Sequence, residues 1–281
     1  GDMDKAVEWL RENGLAKAEK KAGRIAAEGI VKTFISADGK NASMVEVNSE
    51  TDFVAKNDKF QDFVGDVVEQ INGSAAEDVE AFLAEAWAKD SSKTVKEELA
   101  SMVATIGENM NIRRFAKLSA DNGVVVDYIH AGGKIGVLIA AETDNTGDEV
   151  VECLKNVAMQ IAAMNPEYLS ADDVSEEYKE KEKKILLEQA KNDPKNAGKP
   201  ENIIEKMIIG RLNKELKEVC LTEQVYVKAE NKETVAKYVE SVAKAVGCNL
   251  KLTGFVRYET GEGLEKKEED FAAEVAAQMN A

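Results

Sequence analysis

The chain has 281 residues, with 37 Lys and Arg against 53 Asp and Glu, so its formal net charge is −16; at roughly 100–200 residues per domain this suffices for about two domains with buried cores. The composition, 44% apolar and 32% charged, describes a chain that folds in water, and a charge of this sign repels phosphate backbones and argues against general nucleic-acid binding. One histidine, His130, and three cysteines without C-x-x-C spacing exclude a His- or Cys-rich metal site.

In chain order, residues 4–10 place Val7 and Leu10 on one helical stripe with Trp9 beside it, and Gly14 reads as a helix stop. A second short helix is expected over 15–22, and the pair resembles the end of a three-helix bundle whose start lies outside the chain. From Ile30 the period changes to two. Strands are expected over 30–36 and 44–48, joined by a turn whose Asp38-Gly39 pair is a strong hairpin signal. Helices follow at 59–71, 76–87 and 91–106, then a strand over 112–119.

After the Asp121-Asn122-Gly123 turn the pattern restarts. Strands over 124–129 and 135–141 flank Ala131-Gly132-Gly133-Lys134, and a helix covers 146–164. The second strand of each half ends in Glu-Thr-Asp, at Glu50-Thr51-Asp52 and again at Glu142-Thr143-Asp144. This is read as a duplicated strand–strand–helix unit. The second copy lacks a closing strand until 249–258, so something is inserted. All three prolines, Pro166, Pro194 and Pro200, fall within that stretch. A helix over 175–191, a Pro/Gly/Asn loop and a second helix carrying Ile204, Ile208, Leu212, Leu216 and Val219 form an antiparallel hairpin about 25 Å long. Such a hairpin either lies flat on its own body or meets a partner. A last helix is expected over 264–279, with Phe271 and Val275 one turn apart.

Cys153, Cys220 and Cys248 read as buried or free thiols of a reducing compartment. The longest apolar run, 135–141, is far short of the roughly 20 residues that a membrane helix needs, and no signal peptide is visible. A cytoplasmic protein without membrane contact is expected.

Catalytic motifs are weak throughout. Gly132-Gly133-Lys134 lacks the upstream glycine of a phosphate loop and reads as a hairpin turn. His130 has no nucleophile-elbow motif to serve; at a loop tip it is an exposed histidine or a contact residue. Thr51 or Asp52 can cap the following helix. Phe53 is either a core plug or an exposed wedge, and composition alone favours the plug.

Several segments together change that balance: residues 1–6 (GDMDKA), 20–24 (KKAGR), 50–56 (ETDFVAK), 106–114 (IGENMNIRR), 130–137 (HAGGKIGV) and 254–263 (GFVRYETGEG). In order, and over essentially the whole length, the chain resembles bacterial elongation factor Ts, the guanine-nucleotide exchange factor of elongation factor Tu. The resemblance implies an α+β fold with two related core subdomains, each a small antiparallel sheet packed by helices. It divides the chain into a partial ubiquitin-associated-like helical module (1–24), an N subdomain (25–122), a C subdomain (123–165 and 221–258), an inserted helical hairpin (166–220) and a C-terminal helical module (259–281). It also implies that Asp52 and Phe53 face the partner's nucleotide-binding domain, with His130 beside them and Ile106 and Gly107 shaping the same face. Val227 and Lys228 match positions that touch another partner domain. The expected partner is elongation factor Tu, GDP-bound or nucleotide-free, with no cofactor, no metal and no covalent chemistry of the chain's own. A dimer through the hairpin, and an acidic scaffold with no effect on nucleotide release, stay open.

Overall fold

A computed structural model of the chain describes residues 2–196 and 198–265; the helix expected over 264–279 therefore lies, beyond Glu265, outside the described residues. The chain forms two compact units. The first comprises 2–117, 129–138 and 258–265, and the second 118–128 and 139–257.

The first unit opens with one helix, α1 (Met3–Lys21), capped by the Asp2 carboxylate. The break expected at Gly14 is not there. Gly14 lies buried in mid-helix, and a Cβ built on it would be 4.0 Å from the Ala100 carbonyl oxygen. A glycine inside a helix costs about 1 kcal/mol relative to alanine but does not end it. The helix stops at Ala22-Gly23 instead.

Strands β1 (Glu28–Ile35) and β2 (Asn41–Ser49) then pair antiparallel, from Glu28 opposite Ser49 to Ile35 opposite Ala42. Their turn is closed by Asp38, which accepts hydrogen bonds from Ser36 Oγ and Lys40 N. A short helical turn, α2 (Asp52–Ala55), leads into α3 (Asp58–Gly73). Helix α3 buries Phe60, Phe63, Val64, Val67, Val68 and Ile71, the i, i+3, i+4, i+7 stripe of a core-facing helix. Each such side chain contributes on the order of 2 kcal/mol on burial.

The helix expected over 76–87 is only α4 (Val79–Ala84). The rest becomes a hairpin of β3 (Ala86–Trp87) and β4 (Asp90–Thr94), which the sequence reading did not foresee. Tertiary partners divert the chain there: Gln70 bonds the Ala86 carbonyl and the Ala88 N–H, and Trp87 packs on Phe63 with ring centroids 5.8 Å apart. Helix α5 (Val95–Ile106) starts at a capping box of Thr94 and Glu97 and packs on α1. Strand β5 (Met110–Ser119) closes the first sheet in the order β1-β2-β5.

Strands β6 (Gly123–His130) and β7 (Ile135–Thr143) form the second hairpin, and α6 (Asp148–Met164) follows. Helix α6 buries Val150, Cys153, Leu154, Val157, Ala158 and Ile161. The insert is two antiparallel-spaced helices, α7 (Glu176–Asn192) and α8 (Glu201–Val219), packed on one another. A further helix, α9 (Val235–Val246), packs on α6 and was not foreseen in the sequence. Strand β8 (Leu250–Glu259) joins the second sheet, ordered β6-β7-β8. The fold is thus mixed helix and sheet, with small antiparallel sheets. Both three-stranded sheets share one topology: a hairpin, then a third strand returning to pair with the second.

Candidate functional site

The end of β2 carries the residues of most interest, and their local chemistry explains their position. Thr51 has an extended backbone, and its Oγ1 accepts the Val54 N–H at 3.3 Å, capping α2. The cap is itself held. Glu108, just after α5, accepts Thr51 N–H through one carboxylate oxygen at 3.0 Å and Thr51 Oγ1–H through the other at 2.7 Å. Next to it Asn109 donates its N–H to Glu50 at 2.6 Å. The tip is therefore tied to the end of α5 at successive residues.

This bracing presents Phe53 outward. Its side chain is 81% exposed, which overturns the core-plug reading. A phenyl ring in water on an otherwise hydrogen-bonded turn is an exposed apolar feature with no role in the core. Asp52 pairs with Lys56 one turn on, at 2.7 Å, and that ammonium holds the Asp52 carboxyl below the usual carboxylate range.

His130 is exposed at the start of the β6–β7 turn, and its carbonyl accepts the Gly133 and Lys134 N–H groups. This turn docks on β1: Val31 N–H donates to the Gly133 carbonyl at 2.7 Å, and Lys134 pairs with Glu28. Gly133 has φ of 100°, and a Cβ there would come within 2.9 Å of Ile30 Cβ, so this approach needs glycine. An open depression results, with Asp52, Lys56 and Gln61 on one wall and Ala131, Gly132 and Lys134 on the other. Ile106 ends α5 half-buried against the core, and Gly107 caps that helix in the left-handed region at φ 93°. The Gly107 carbonyl accepts the Lys21 ammonium. Asp52, Phe53, Ile106, Gly107 and His130 thus all belong to the first unit.

Val227 and Lys228 lie in the second unit. Val227 is 51% exposed, and its N–H donates to Gln160 Oε1 at 2.9 Å. Lys228 is exposed and bonds Asn156 Oδ1 at 2.8 Å. Gln160 is fully buried and also donates to Gln224 and the Val225 carbonyl. It fixes the loop, although sequence reasoning did not single it out. The available signal was a glutamine on the apolar stripe of α6. Glu108 also went unremarked as a brace, because nothing in the local pattern announces a contact 57 residues away.

Among the described residues no group of three or more His, Cys, Asp or Glu is arranged to hold a metal ion, and no helix is long and apolar enough to cross a membrane. Cys153 and Cys220 are buried, and burial pushes the Cys153 thiol up to about 11. What the first unit offers is a braced, exposed aromatic beside an ion-paired carboxylate.

Comparison with known proteins agrees over the whole chain. Residues 50–262 match the family model described as elongation factor TS. Elongation factor Ts of Clostridium novyi (strain NT) is 51% identical over 280 residues, covering 100% of this chain and 90% of that protein. The protein of the same name from Clostridium kluyveri is 51% identical over 279 residues, covering 99% and 90%. One from Clostridium botulinum (strain ATCC 19397 / Type A) is 50% identical over 280 residues, covering 100% and 90%. On this agreement, and on an α+β fold with the motif residues at its exposed tips, the chain belongs to the elongation factor Ts family.

Proposed function

We propose that the chain is the guanine-nucleotide exchange factor of elongation factor Tu, and that it promotes GDP release by inserting Phe53, with Asp52 and His130 beside it, near the partner's magnesium and nucleotide site. Ile106 and Gly107 shape the same contact face, and Val227 and Lys228 engage a second domain of the partner. The observation that carries the reading is Phe53 itself, 81% exposed on a turn braced by Glu108. A protein gains nothing for its own core from holding a phenyl ring in water, whereas rigid aromatic anchors supply much of the energy of interfaces.

The mechanism is linkage between two ligands. Exchange factor and GDP both bind the GTPase, each weakens the other, and the penalty is reciprocal. A wedge that displaces partner segments around the nucleotide shares its binding energy with their distortion, and GDP leaves faster. No bond is made or broken by this chain.

Stopped-flow release of fluorescent GDP from elongation factor Tu tests the reading. The chain is expected to accelerate release at micromolar concentration, and Phe53→Ala to lose about 2 kcal/mol of coupling, roughly 30-fold, as interface anchors do. No acceleration by the unmodified chain would leave the acidic-scaffold reading instead. Acceleration by Phe53→Ala equal to wild type would remove the wedge.

A further inference from the structure

From the last two residues of β8 onward the chain crosses the first unit as a strap, residues 258–262, which the proposed contacts do not include. The strap is held from below by one carboxylate. Glu46, in β2, has no exposed surface and accepts hydrogen bonds from Gly261 N–H at 2.8 Å, Asn48 Nδ2 at 2.9 Å, Arg113 Nη1 at 3.0 Å and Arg114 Nε at 2.6 Å. The two arginines reach past it to the strap. Arg113 donates to the Glu262 carbonyl at 2.5 Å, and Arg114 to the Glu259 carbonyl at 3.1 Å, while its guanidinium stacks on Tyr258. Gly261 has φ of 73°, and a Cβ there would lie 2.2 Å from the Ala27 carbonyl oxygen. Only glycine lets the strap lie this close.

The upper side of the strap meets the turn that carries His130. Buried Thr260 donates its hydroxyl to the Gly133 carbonyl at 2.9 Å and its N–H to the Lys134 carbonyl at 2.9 Å. The Gly133 carbonyl accepts from Val31 N–H as well, so the turn is clamped between the free edge of β1 and the strap.

We propose that Glu46 and Thr260 are positioning residues for the contact surface: Glu46 anchors the strap through Arg113, Arg114 and Gly261, and Thr260 then fixes the His130–Lys134 turn opposite Asp52 and Lys56. The functional part of this inference rests on the exchange reading above. The structural part does not. A buried carboxylate serving two guanidiniums, an amide and a backbone N–H is far more bonding than a sheet strand needs, and three of those four donors either belong to the strap or also bond it.

His130 is the one histidine of the chain, so its imidazole Cε1–H proton gives a single NMR signal that reports the turn in the full-length protein. Thr260→Val and Glu46→Gln should each displace or broaden that signal, and Thr260→Ser, which keeps the hydroxyl, should restore it. In the GDP-release assay the same two variants should raise the concentration for half-maximal stimulation about fivefold, as loss of one net hydrogen bond allows. The maximal rate should stay within about twofold of wild type. A folded Thr260→Val protein with an unchanged His130 signal overturns the proposal, whatever the fate of Glu46→Gln. If the wild-type chain fails to stimulate release, the exchange reading falls, and the His130 signal alone decides whether the strap sets the turn.

Discussion

Glu46 is charged where no water reaches it, and its ionisation is decided by opposed effects. Burial alone pushes its carboxyl up, but the hydrogen bonds from Gly261, Asn48 and Arg114, with the Arg114 charge, outweigh burial and hold it below the usual carboxylate range. The native state therefore binds this proton less tightly than the unfolded chain does. Its contribution to stability is fully present above the ordinary glutamate value, about 4.3, and is lost as pH falls through the lower native value. At pH 7, Glu46→Gln should destabilise by about 3 kcal/mol, because two guanidiniums lose their buried counter-charge. Urea unfolding of both proteins from pH 7 down to pH 3 checks this: the gap should narrow below about pH 4. A gap that widened instead as pH fell from 7 would mean that the carboxyl is protonated in the native state. The residue-scale signals in the sequence were uneven. Phe53 stands out as an aromatic just after a strand end, beside Asp52 and before a helix, but whether it faces inward depends on Glu108, a brace far along the chain that no local pattern reveals.

At the scale of elements, local pattern was a good guide wherever a single face of a helix or strand meets a single core. Helices α3, α6, α7 and α8, and both hairpins, lie where apolar period and turn residues place them. It misled where tertiary contacts decide between near-equal local options. The segment after α4 has helical composition, yet Gln70 and Phe63 capture Ala86–Trp87 as a strand. Helix α9 is not among the elements expected from the sequence, which pass from the inserted hairpin to the closing strand over 249–258. Gly14 is the sharpest instance: a residue that often follows a helix sits inside one, where α1 packs on α5. Gly14→Ala distinguishes the two readings. In a continuous helix with the nearest atom at 4.0 Å, alanine should stabilise by about 0.5–1 kcal/mol. An increase in the urea midpoint at unchanged slope is the expected measurement. A decrease would show that the site cannot accept a methyl group.

At the scale of the whole molecule, the two three-stranded sheets repeat the same devices and differ in what is added to them. Gly29 is the second residue of β1 and Gly123 the first of β6, and at both a Cβ would lie about 2 Å from a carbonyl oxygen of the neighbouring strand, 2.1 Å from that of Val47 and 1.9 Å from that of Ala141. Gly107 and Gly247 end α5 and α9 in the left-handed region. Two residues later Asn109 and Asn249 each donate a backbone N–H to an acid at the end of a second strand, Glu50 and Asp144. Only the first copy then inserts the α2 turn that projects Phe53. The second has Asn145-Thr146-Gly147 there, and its elaboration lies in the α7–α8 insert. The base of that insert closes through the last residue of α8 and the segments that flank the pair. Glu167 and Tyr168 N–H groups bond the Val219 carbonyl, and Leu221 and Thr222 N–H groups bond Tyr168 and Leu169. Above the base the helices mainly pack on each other, tied by Tyr178 to Glu215 and to the edge of Tyr168. Replacing residues 175–215 with a short Gly/Ser linker should therefore leave one cooperative unfolding transition for the remainder. Its Tm should fall by about 3 °C, the equivalent of roughly 1 kcal/mol for the lost Tyr168–Tyr178 contact. Far-UV circular dichroism should lose only the signal of α7 and most of α8, helices of 17 and 19 residues. Loss of the cooperative transition would show that the hairpin belongs to the core; its retention would leave the hairpin as an arm, free to be assayed for its effect on GDP release apart from its effect on folding.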